Sequence, residues 1–262
     1  MQLRQVLPEA GVCSRNAVAV LVRERRVIVN GEVCKRSTQR VLDTDTIVVD
    51  GSPVRRLAAR LWRYHKPPGL LVSHGDPQGR RTVFDDVHER VDRLPRLVSV
   101  GRLDAQTEGL LLLTNLPSVA RHFEHPQSGY TRQYIAQLRL HDEQSEDVAP
   151  TVTSAMSDAL RAGVLGFRPI HVEPLDSLPA TLARPTAIAG PCCYVSASVT
   201  EGKKHEVRRA FHHLGFRVPR LIRVAFGPFA LGGLEPGGIE EVATDQAAPW
   251  QRLRRECARD TT

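Results

Sequence analysis

One aspartate stands out in the segment VSVGRLDAQTEGLLLLTN, residues 98–115. Asp104 follows a Gly-Arg-Leu sequence and precedes a polar run that leads into four leucines. The leucines predict a short buried strand, so we expect Asp104 in a tight loop at the entrance to that strand. A carboxylate held there by a rigid scaffold can act as a nucleophile or as a base. The alternative is that Asp104 only organises the turn, as aspartate often does beside glycine.

Other side chains with chemical potential lie in three further segments. Tyr134 lies in RQY, within an alternating stretch that predicts a strand, and Arg208 and Arg209 lie in EGKKHEVRRAFHHLG, which predicts a helix. Taken singly, a strand tyrosine is usually a core or edge aromatic, and helix arginines usually face solvent. Glu108, four residues after Asp104, also suggests the paired carboxylates of a glycosidase. These residues gain a chemical meaning only when they are considered together.

Several familiar kinds of site have no counterpart in the sequence. There is no G-x-x-x-x-G-K-[ST] loop and no G-x-G-x-x-G turn, so nucleotide hydrolysis and dinucleotide binding lack their usual phosphate cradle. Ser-His-Asp catalysis has no nucleophile-elbow motif. His122 and His125 could ligate a metal, but a third ligand at a telling spacing is missing. The sequence predicts neither a metal nor a cofactor.

The elements that must position these residues belong to a body predicted over residues 61–244. LWRYHKPPGLLVS predicts a first strand, DPQGRRTVFDDV a turn and a short helix, and Pro117 the start of another helix. YTRQYIAQLRL and LIRVAFGPFAL predict later strands, and Gly215 is expected to end the helix between them. The pattern predicts an α+β fold with a mixed, largely antiparallel sheet. Residues 141–190 are uninformative, and a mobile tail is expected over residues 245–262.

The first 55 residues predict a separate, small α/β unit, joined to the body by a linker at residues 56–60. Ser14 is expected to cap a helix whose apolar residues recur at helical spacing. VIVNGEV predicts a strand, an Asn-Gly turn and a second strand, and DTIVVDG predicts another strand and turn.

The charge of the chain is concentrated at this end. Residues 1–60 hold 11 Lys+Arg and 6 Asp+Glu, a net of +5, whereas residues 61–262 hold 25 and 23, a net of +2. A basic appendage on a nearly neutral body predicts a polyanionic partner. Of the 36 basic residues 32 are arginine, which suits bidentate phosphate contacts, although a GC-rich genome would also favour arginine codons.

The compartment is also suggested by composition. The five cysteines form no C-x-x-C pair and are odd in number, which favours a reduced, cytoplasmic protein without a disulfide framework. The apolar stretch at residues 17–22 is too short for a signal peptide and is flanked by arginines. No apolar run approaches the length of a membrane span, so no membrane partner is expected.

Two resemblances follow from the motifs quoted above. L-x-x-V-L-x-E-A-G-V-x-S-R, V-x-V-N-G-x-V and D-T-I-x-V-D-G resemble a small RNA-binding domain of a small-subunit ribosomal protein, tyrosyl-tRNA synthetases and some RNA-modifying enzymes. HKPPGLLVS, GRLDAQTEGLLLLTN, RQY and EGKKHEVRRAFHHLG, in this order, resemble the bacterial ribosomal RNA pseudouridine synthases of the small-subunit/large-subunit uridine synthase family. The second resemblance spans about residues 1–243. Glu206 and Ala210 depart from it, since glutamine and methionine are usual there.

The family resemblance implies roles for individual residues. Asp104 would be the catalytic aspartate, Tyr134 the tyrosine that stacks on the extruded base, and Arg208 the cation that keeps the carboxylate ionised. The residues expected to contact RNA are Arg15, Arg23, Arg25, Arg26, Lys35, Lys66, Arg80, Arg81, Arg102, Lys203, Lys204 and Arg209.

The implied activity is isomerisation of a specific uridine in ribosomal RNA to pseudouridine, with base flipping and no cofactor. DPQGRRTVFD resembles the large-subunit members more than the small-subunit ones, which favours large-subunit RNA. We expect a monomer that acts on ribosomal RNA or a ribosomal precursor particle. Two alternatives stay open: a non-catalytic RNA-binding or ribosome-assembly factor, and an N-glycosidase that uses Asp104 and Glu108.

Overall fold

The computed structural model describes residues 1–55, 57–141, 151–183 and 191–259. Its N-terminal unit has helices α1 (Leu3–Glu9) and α2 (Arg15–Arg23) packed on four short antiparallel strands. The strands are β1 (Val27–Val29), β2 (Glu32–Val33), β3 (Ile47–Val49) and β4 (Ser52–Pro53), in the order β2-β1-β3-β4.

Local sequence signals explain this unit well. The Ser14 side chain accepts the N–H of Ala17 and caps α2, as expected. Asn30 and Gly31 both have positive φ, which is the geometry that joins two strands by a two-residue turn. The predicted helix and hairpin are therefore confirmed.

The body is built on a nine-stranded sheet. Its strands are β5 (Leu61–Lys66), β6 (Val98–Val100), β7 (Thr107–Thr114), β8 (Arg132–Leu140), β9 (His171–Leu175), β10 (Cys193–Val199), β11 (Phe216–Phe226), β12 (Phe229–Ala230) and β13 (Ile239–Glu241). The order is β13-β5-β7-β11-β8-β10-β9, with β6 paired to β7 and β12 to β11. Among the described strands only β7 and β11 run parallel, so the predicted mixed, largely antiparallel α+β fold is confirmed.

Five helices cover this sheet: α3 (Val83–Arg90), α4 (Pro117–Glu124), α5 (Ser154–Ala162), α6 (Glu206–His213) and α7 (Ala248–Arg259). All eight residues of β7 are buried. Leu110 and Leu112 pack into one apolar cluster with α4, whereas Leu111 and Leu113 pack into another with α3. Alternate side chains of a strand point to opposite faces, so four consecutive leucines fit a strand covered on both faces.

The C-terminal segment corrects one expectation. The sequence predicts a mobile tail over residues 245–262, but residues 248–259 form α7. Trp250 and Leu253 of this helix are buried in the same cluster as Phe123 of α4. Two apolar side chains one turn apart are enough to dock the helix, although its composition is otherwise polar.

The two units are joined by specific contacts. The side chain of Asn115 accepts the N–H of Arg60 and donates to the carbonyl of Ala58, which holds residues 58–60 against the end of β7. Glu9 of α1 accepts the backbone N–H and the hydroxyl of Ser118 and pairs with Arg121 at 2.8 Å. The carboxylate of one unit therefore caps helix α4 of the other.

Within the described part of the chain, no helix combines the length and the apolar composition needed to cross a bilayer.

Candidate functional site

The loop that carries Asp104 joins β6 to β7 and is held in place by hydrogen bonds from a buried lysine. Lys66 is fully buried at the end of β5, and its ammonium donates to the carbonyls of Pro67, Ala105 and Thr107 at 2.9–3.0 Å. Burial lowers the pKa of Lys66 to about 8, while the charges of Asp104 and Glu108 act in the opposite direction. The structure contradicts the expectation that Lys66 contacts RNA, because the side chain is buried and its ammonium donates to three backbone carbonyls.

The carboxylate of Asp104 itself reaches an open cleft. Its side chain is 33% exposed, and its Oδ2 lies 3.2 Å from Nδ1 of His205. His205 has a left-handed backbone and immediately precedes α6. The sequence offered no signal for this imidazole beyond its place in the EGKKHEVRR segment.

The cleft has a volume of about 1140 Å³ and brings together residues that are distant in sequence. Six of the predicted site residues line it, namely Asp104, Tyr134, Arg80, Arg102, Lys203 and Lys204. Four further basic residues line it that sequence reasoning did not select, namely Arg132, Arg168, His205 and Arg223. Arg and Lys side chains outnumber Asp and Glu at this cleft, which suits a polyanionic ligand.

Tyr134 is placed by the pairing of β8 with β11. In this register Tyr134 is the partner of Arg223, and Arg223 is also the partner of Gly109 at the start of β7. A Cβ at residue 109 would overlap the backbone of Arg223, and Gly109 has a φ of +101°. Only glycine allows β7 and β11 to approach this closely, and this approach sets Tyr134 and Asp104 around one cleft.

The side chain of Arg208 contacts the backbone of the loop that carries Asp104. The half-buried guanidinium donates to the carbonyl of Val218 and, at 3.3 Å, to that of Gln106. Burial lowers the pKa of Arg208, and the nearby charge of Asp104 opposes this shift. The expected proximity to Asp104 is present, but among the described residues no ion pair within 4.0 Å joins the two side chains.

Two acids lie at the α6 side of the cleft. Glu206, the first residue of α6, is buried, and burial followed by the charge of Glu201 raises the pKa of Glu206 to about 7. Glu201 accepts the N–H of Arg168 at 2.7 Å and lies 3.1 Å from the ammonium of Lys203. Glu206 therefore gains a proton near neutral pH, and the protonated side chain is similar to the glutamine that the family resemblance implies here.

The glycosidase alternative required Glu108 beside Asp104. Glu108 is instead buried in β7, where its carboxylate pairs with Arg220 at 2.6 and 3.2 Å. A carboxylate held by a buried guanidinium is poorly placed to serve as a second catalytic acid. The described residues also contain no group of three His, Cys, Asp or Glu side chains that could hold a metal.

The remaining residues expected to contact RNA differ in whether their charges are paired with carboxylates of the protein. Arg15, Arg23, Arg25 and Lys35 are exposed on the N-terminal unit. Arg26 is exposed but pairs with both oxygens of Asp50 at 2.7 Å and with Glu24 at 2.8 Å. Its charge is thus largely neutralised within the protein.

The body shows the same division. Arg80 pairs with Asp76 at the rim of the cleft, and Arg81 pairs with Asp86 and Glu89 away from it. Arg209 is exposed and lies over the ring of Phe167 at 5.1 Å. Lys204 and Arg102 are exposed at the cleft.

Comparison with known proteins begins with the fold. A solved structure described as the crystal structure of pseudouridylate synthase covers 98% of this chain and 99% of its own, with a TM-score of 0.56 and 23% identity. The body therefore has the fold of a pseudouridine synthase.

The sequence comparisons then give the family. Residues 60–213 match the family described as RNA pseudouridylate synthase, and residues 1–47 match the S4 domain. An uncharacterised RNA pseudouridine synthase of Rickettsia conorii is 33% identical over 242 residues, covering 92% of this chain and 96% of that protein. Ribosomal large subunit pseudouridine synthase B of Pseudomonas aeruginosa is 36% identical over 241 residues, covering 88% and 56% respectively. The chain belongs to the RNA pseudouridylate synthase family and carries an S4 domain.

Proposed function

We propose that this protein converts one uridine, or a close pair, of large-subunit ribosomal RNA to pseudouridine. The observation that carries the proposal is the cleft that both Asp104 and Tyr134 line, where Arg and Lys side chains outnumber the carboxylates. Family membership supports the reaction type. The relative from Pseudomonas aeruginosa, which is named for the large ribosomal subunit, supports the substrate.

The reaction breaks the N1–C1′ bond of uridine, turns the uracil and forms a C5–C1′ bond. C5 loses a proton and N1 gains one, so no net redox change or energy source is needed. Asp104 acts on the ribose, either by attacking C1′ or by removing a sugar proton. Its partly exposed carboxylate at the cleft can reach a ribose that enters from solvent.

The uridine must first leave its stack, which costs a few kcal/mol. Stacking of the extruded base on Tyr134 would return roughly 1–3 kcal/mol. Arg102, two residues before Asp104, is exposed at the cleft and is suited to fill the gap in the RNA or to hold a phosphate. Arg208 supports the catalytic loop through its bond to Gln106.

The S4 domain supplies a second RNA contact. The exposed cations Arg15, Arg23, Arg25 and Lys35 would meet phosphates, and the contacts of Glu9 with α4 would keep this surface in a defined relation to the cleft. A specific uridine would then be chosen by RNA shape read at two places, since uracil alone does not distinguish one uridine from another. We propose a cytoplasmic monomer acting on ribosomal RNA or a precursor particle.

The test is to incubate the purified protein with both ribosomal RNAs and to map pseudouridine chemically. We expect one new site, or a close pair, in the large-subunit RNA, and none with Asp104→Asn, which keeps the shape of the side chain and removes its charge. RNA binding without pseudouridine would favour the assembly-factor alternative, and an abasic product would favour the glycosidase. A site in the small-subunit RNA would overturn only the choice of substrate.

A further inference from the structure

Arg223 is a buried cation whose charge is not matched by a carboxylate. Its side chain is 2% exposed within β11, and its Nε donates to the carbonyl of Leu110 at 2.7 Å. Among the described residues no acidic side chain pairs with it, and its Nη2 has no hydrogen-bond partner. A buried charge without a counter-ion is costly, and a ligand that accepts hydrogen bonds from this guanidinium would offset that cost.

Two other cations of the body, one buried and one partly buried, make the contrast clear. Lys66 donates to three carbonyl oxygens, and Arg220, three residues before Arg223 on the same strand, pairs with Glu108. Arg223 has one backbone acceptor and the nearby hydroxyl of Tyr134. Burial lowers the pKa of Arg223 and Tyr134 opposes this shift, yet a guanidinium remains protonated in proteins.

The position of Arg223 points to the reacting base. It lines the same cleft as Asp104 and is the strand partner of Tyr134, the residue assigned to stack on the uracil. The bond to Leu110 and the close packing against Gly109 hold the guanidinium in place before substrate arrives. A fixed donor in a dry environment is the arrangement that best stabilises charge as it develops.

We propose that Arg223 is a further catalytic residue whose guanidinium, at the wall of the cleft, donates to a carbonyl oxygen of the extruded uracil and stabilises the uracil as a leaving group. The inference rests on the proposed function. When the N1–C1′ bond breaks, its electron pair stays on the uracil, and the negative charge spreads over N1 and the carbonyl oxygens. The charge is consumed when C5 attacks C1′, after which C5 loses its proton and N1 gains one. Arg223 keeps all its protons throughout.

The test compares Arg223→Met and Arg223→Lys with the unaltered enzyme in single turnovers on the same RNA. Loss of one preorganised donor reduces rates by roughly 10²–10³-fold, and we expect a loss of this size for Arg223→Met with RNA affinity unchanged. Arg223→Lys keeps the charge and should lose less. A loss confined to affinity, or an unchanged rate, would overturn the proposal.

A second substrate separates a catalytic role from a structural one. An RNA with 5-fluorouridine at the target has a more acidic uracil, which leaves more easily, so cleavage of its N1–C1′ bond should depend less on Arg223. A structural defect in either variant would reduce cleavage of both substrates equally, and that result would contradict the proposal. Arg223→Lys preserves a buried cation. The two substrates can therefore be compared in this variant even if Arg223→Met does not fold.

A third comparison asks whether Arg223 acts only through Tyr134. Tyr134→Phe removes the hydroxyl near Arg223 but keeps the ring. If Arg223→Met reduces the rate equally in the Tyr134→Phe background, Arg223 acts on the base directly, as proposed. If Arg223→Met causes no further loss of rate in the Tyr134→Phe background, the proposal fails. Pseudouridine formation by the unaltered enzyme, and its loss in Asp104→Asn, test the proposed function separately.

Discussion

At the scale of single residues, two lysines that the sequence assigned to RNA binding have opposite environments. Lys66 is buried and holds the loop of Asp104, whereas Lys204 is exposed at the cleft. We expect Lys66→Met to slow catalysis by about 10²-fold or more, since small displacements of a catalytic group have effects of this order. The thermal stability of this variant should also fall, because the three backbone carbonyls that Lys66 contacts lose a buried donor.

Lys204→Met is the matched control. It should leave stability unchanged and reduce the salt dependence of RNA binding by the contribution of one neutralised phosphate. Binding measured over a range of salt concentrations separates the two variants. A reduced salt dependence in Lys66→Met, with normal stability, would restore the assignment of Lys66 to RNA.

Glu206 makes stability depend on pH in an unusual direction. Its pKa is raised to about 7 in the folded protein, from an ordinary value of 4.5, so the folded state binds more protons between these values. The free energy of unfolding should therefore decrease as pH rises from about 4.5 to about 7. One pKa unit corresponds to about 1.4 kcal/mol, so the change amounts to a few kcal/mol.

Glu206→Gln should remove this contribution and be more stable than the unaltered protein at pH 8. Denaturant unfolding at pH 5, 6, 7 and 8 measures it. The lowered pKa of His74 acts in the opposite direction but is common to both proteins. The lowered pKa of Glu201 acts only below about pH 4.5. Parallel stability curves for the two proteins would show that Glu206 is ionised throughout.

At the scale of elements, the C-terminal helix is the part that sequence reasoning missed. Trp250 is 1% exposed and packs with Phe123 of α4. Trp250→Ala should reduce stability by about 3–5 kcal/mol, the usual cost of removing a large buried aromatic side chain. Arg252→Ala, at an exposed position of the same helix, is the control. Equal melting temperatures for both variants would mean that the segment is mobile, as its sequence predicts.

The elements that could be predicted are those with local causes. Ser14 caps α2 through a neighbour three residues away, Asn30 and Gly31 close a two-residue turn, and the leucines of β7 need only a covered sheet. Each depends on backbone preferences or on a short apolar pattern. The predicted α+β fold followed from many such signals acting together.

The predictions that were wrong concern residues whose environment is set by long-range contacts. The burial of Lys66 depends on its pairing with Gly109, 43 positions later, and docking of α7 depends on a surface formed by α4. Neither partner can be identified from local sequence. Arg223 did have a signal, because a charged residue inside the apolar strand sequence LIRVAF must be either paired or functional.

At the scale of the whole molecule, RNA affinity should be divided between the S4 domain and the cleft. Replacing Arg15, Arg23, Arg25 and Lys35 by glutamine should weaken RNA binding and reduce its salt dependence. In a plot of log binding constant against log salt concentration, the slope should become shallower by roughly 0.7–0.9 for each phosphate that is no longer neutralised. The rate of a single turnover at saturating RNA should not change. RNA binding over a range of salt concentrations measures the slope.

Arg26→Gln is the control for this set, since Arg26 is already neutralised by Asp50 and Glu24. It should change the slope less than substitution of any one of the four free cations. An unchanged slope in the fourfold variant would place the RNA elsewhere on the molecule.

The contact of Glu9 with the start of α4 makes the effect of a nearby mutation depend on its background. An acidic residue in the first turn of a helix usually stabilises it by about 0.3–1 kcal/mol. Ser118→Asp should instead destabilise this protein, because it replaces a donor to Glu9 by a like charge. In a Glu9→Gln background the same substitution should be stabilising, and melting temperatures of the four proteins test this. The effect of Ser118→Asp would thus change sign with the residue at position 9, which is sign epistasis. An evolving protein could then acquire both substitutions without losing stability only if position 9 changed first.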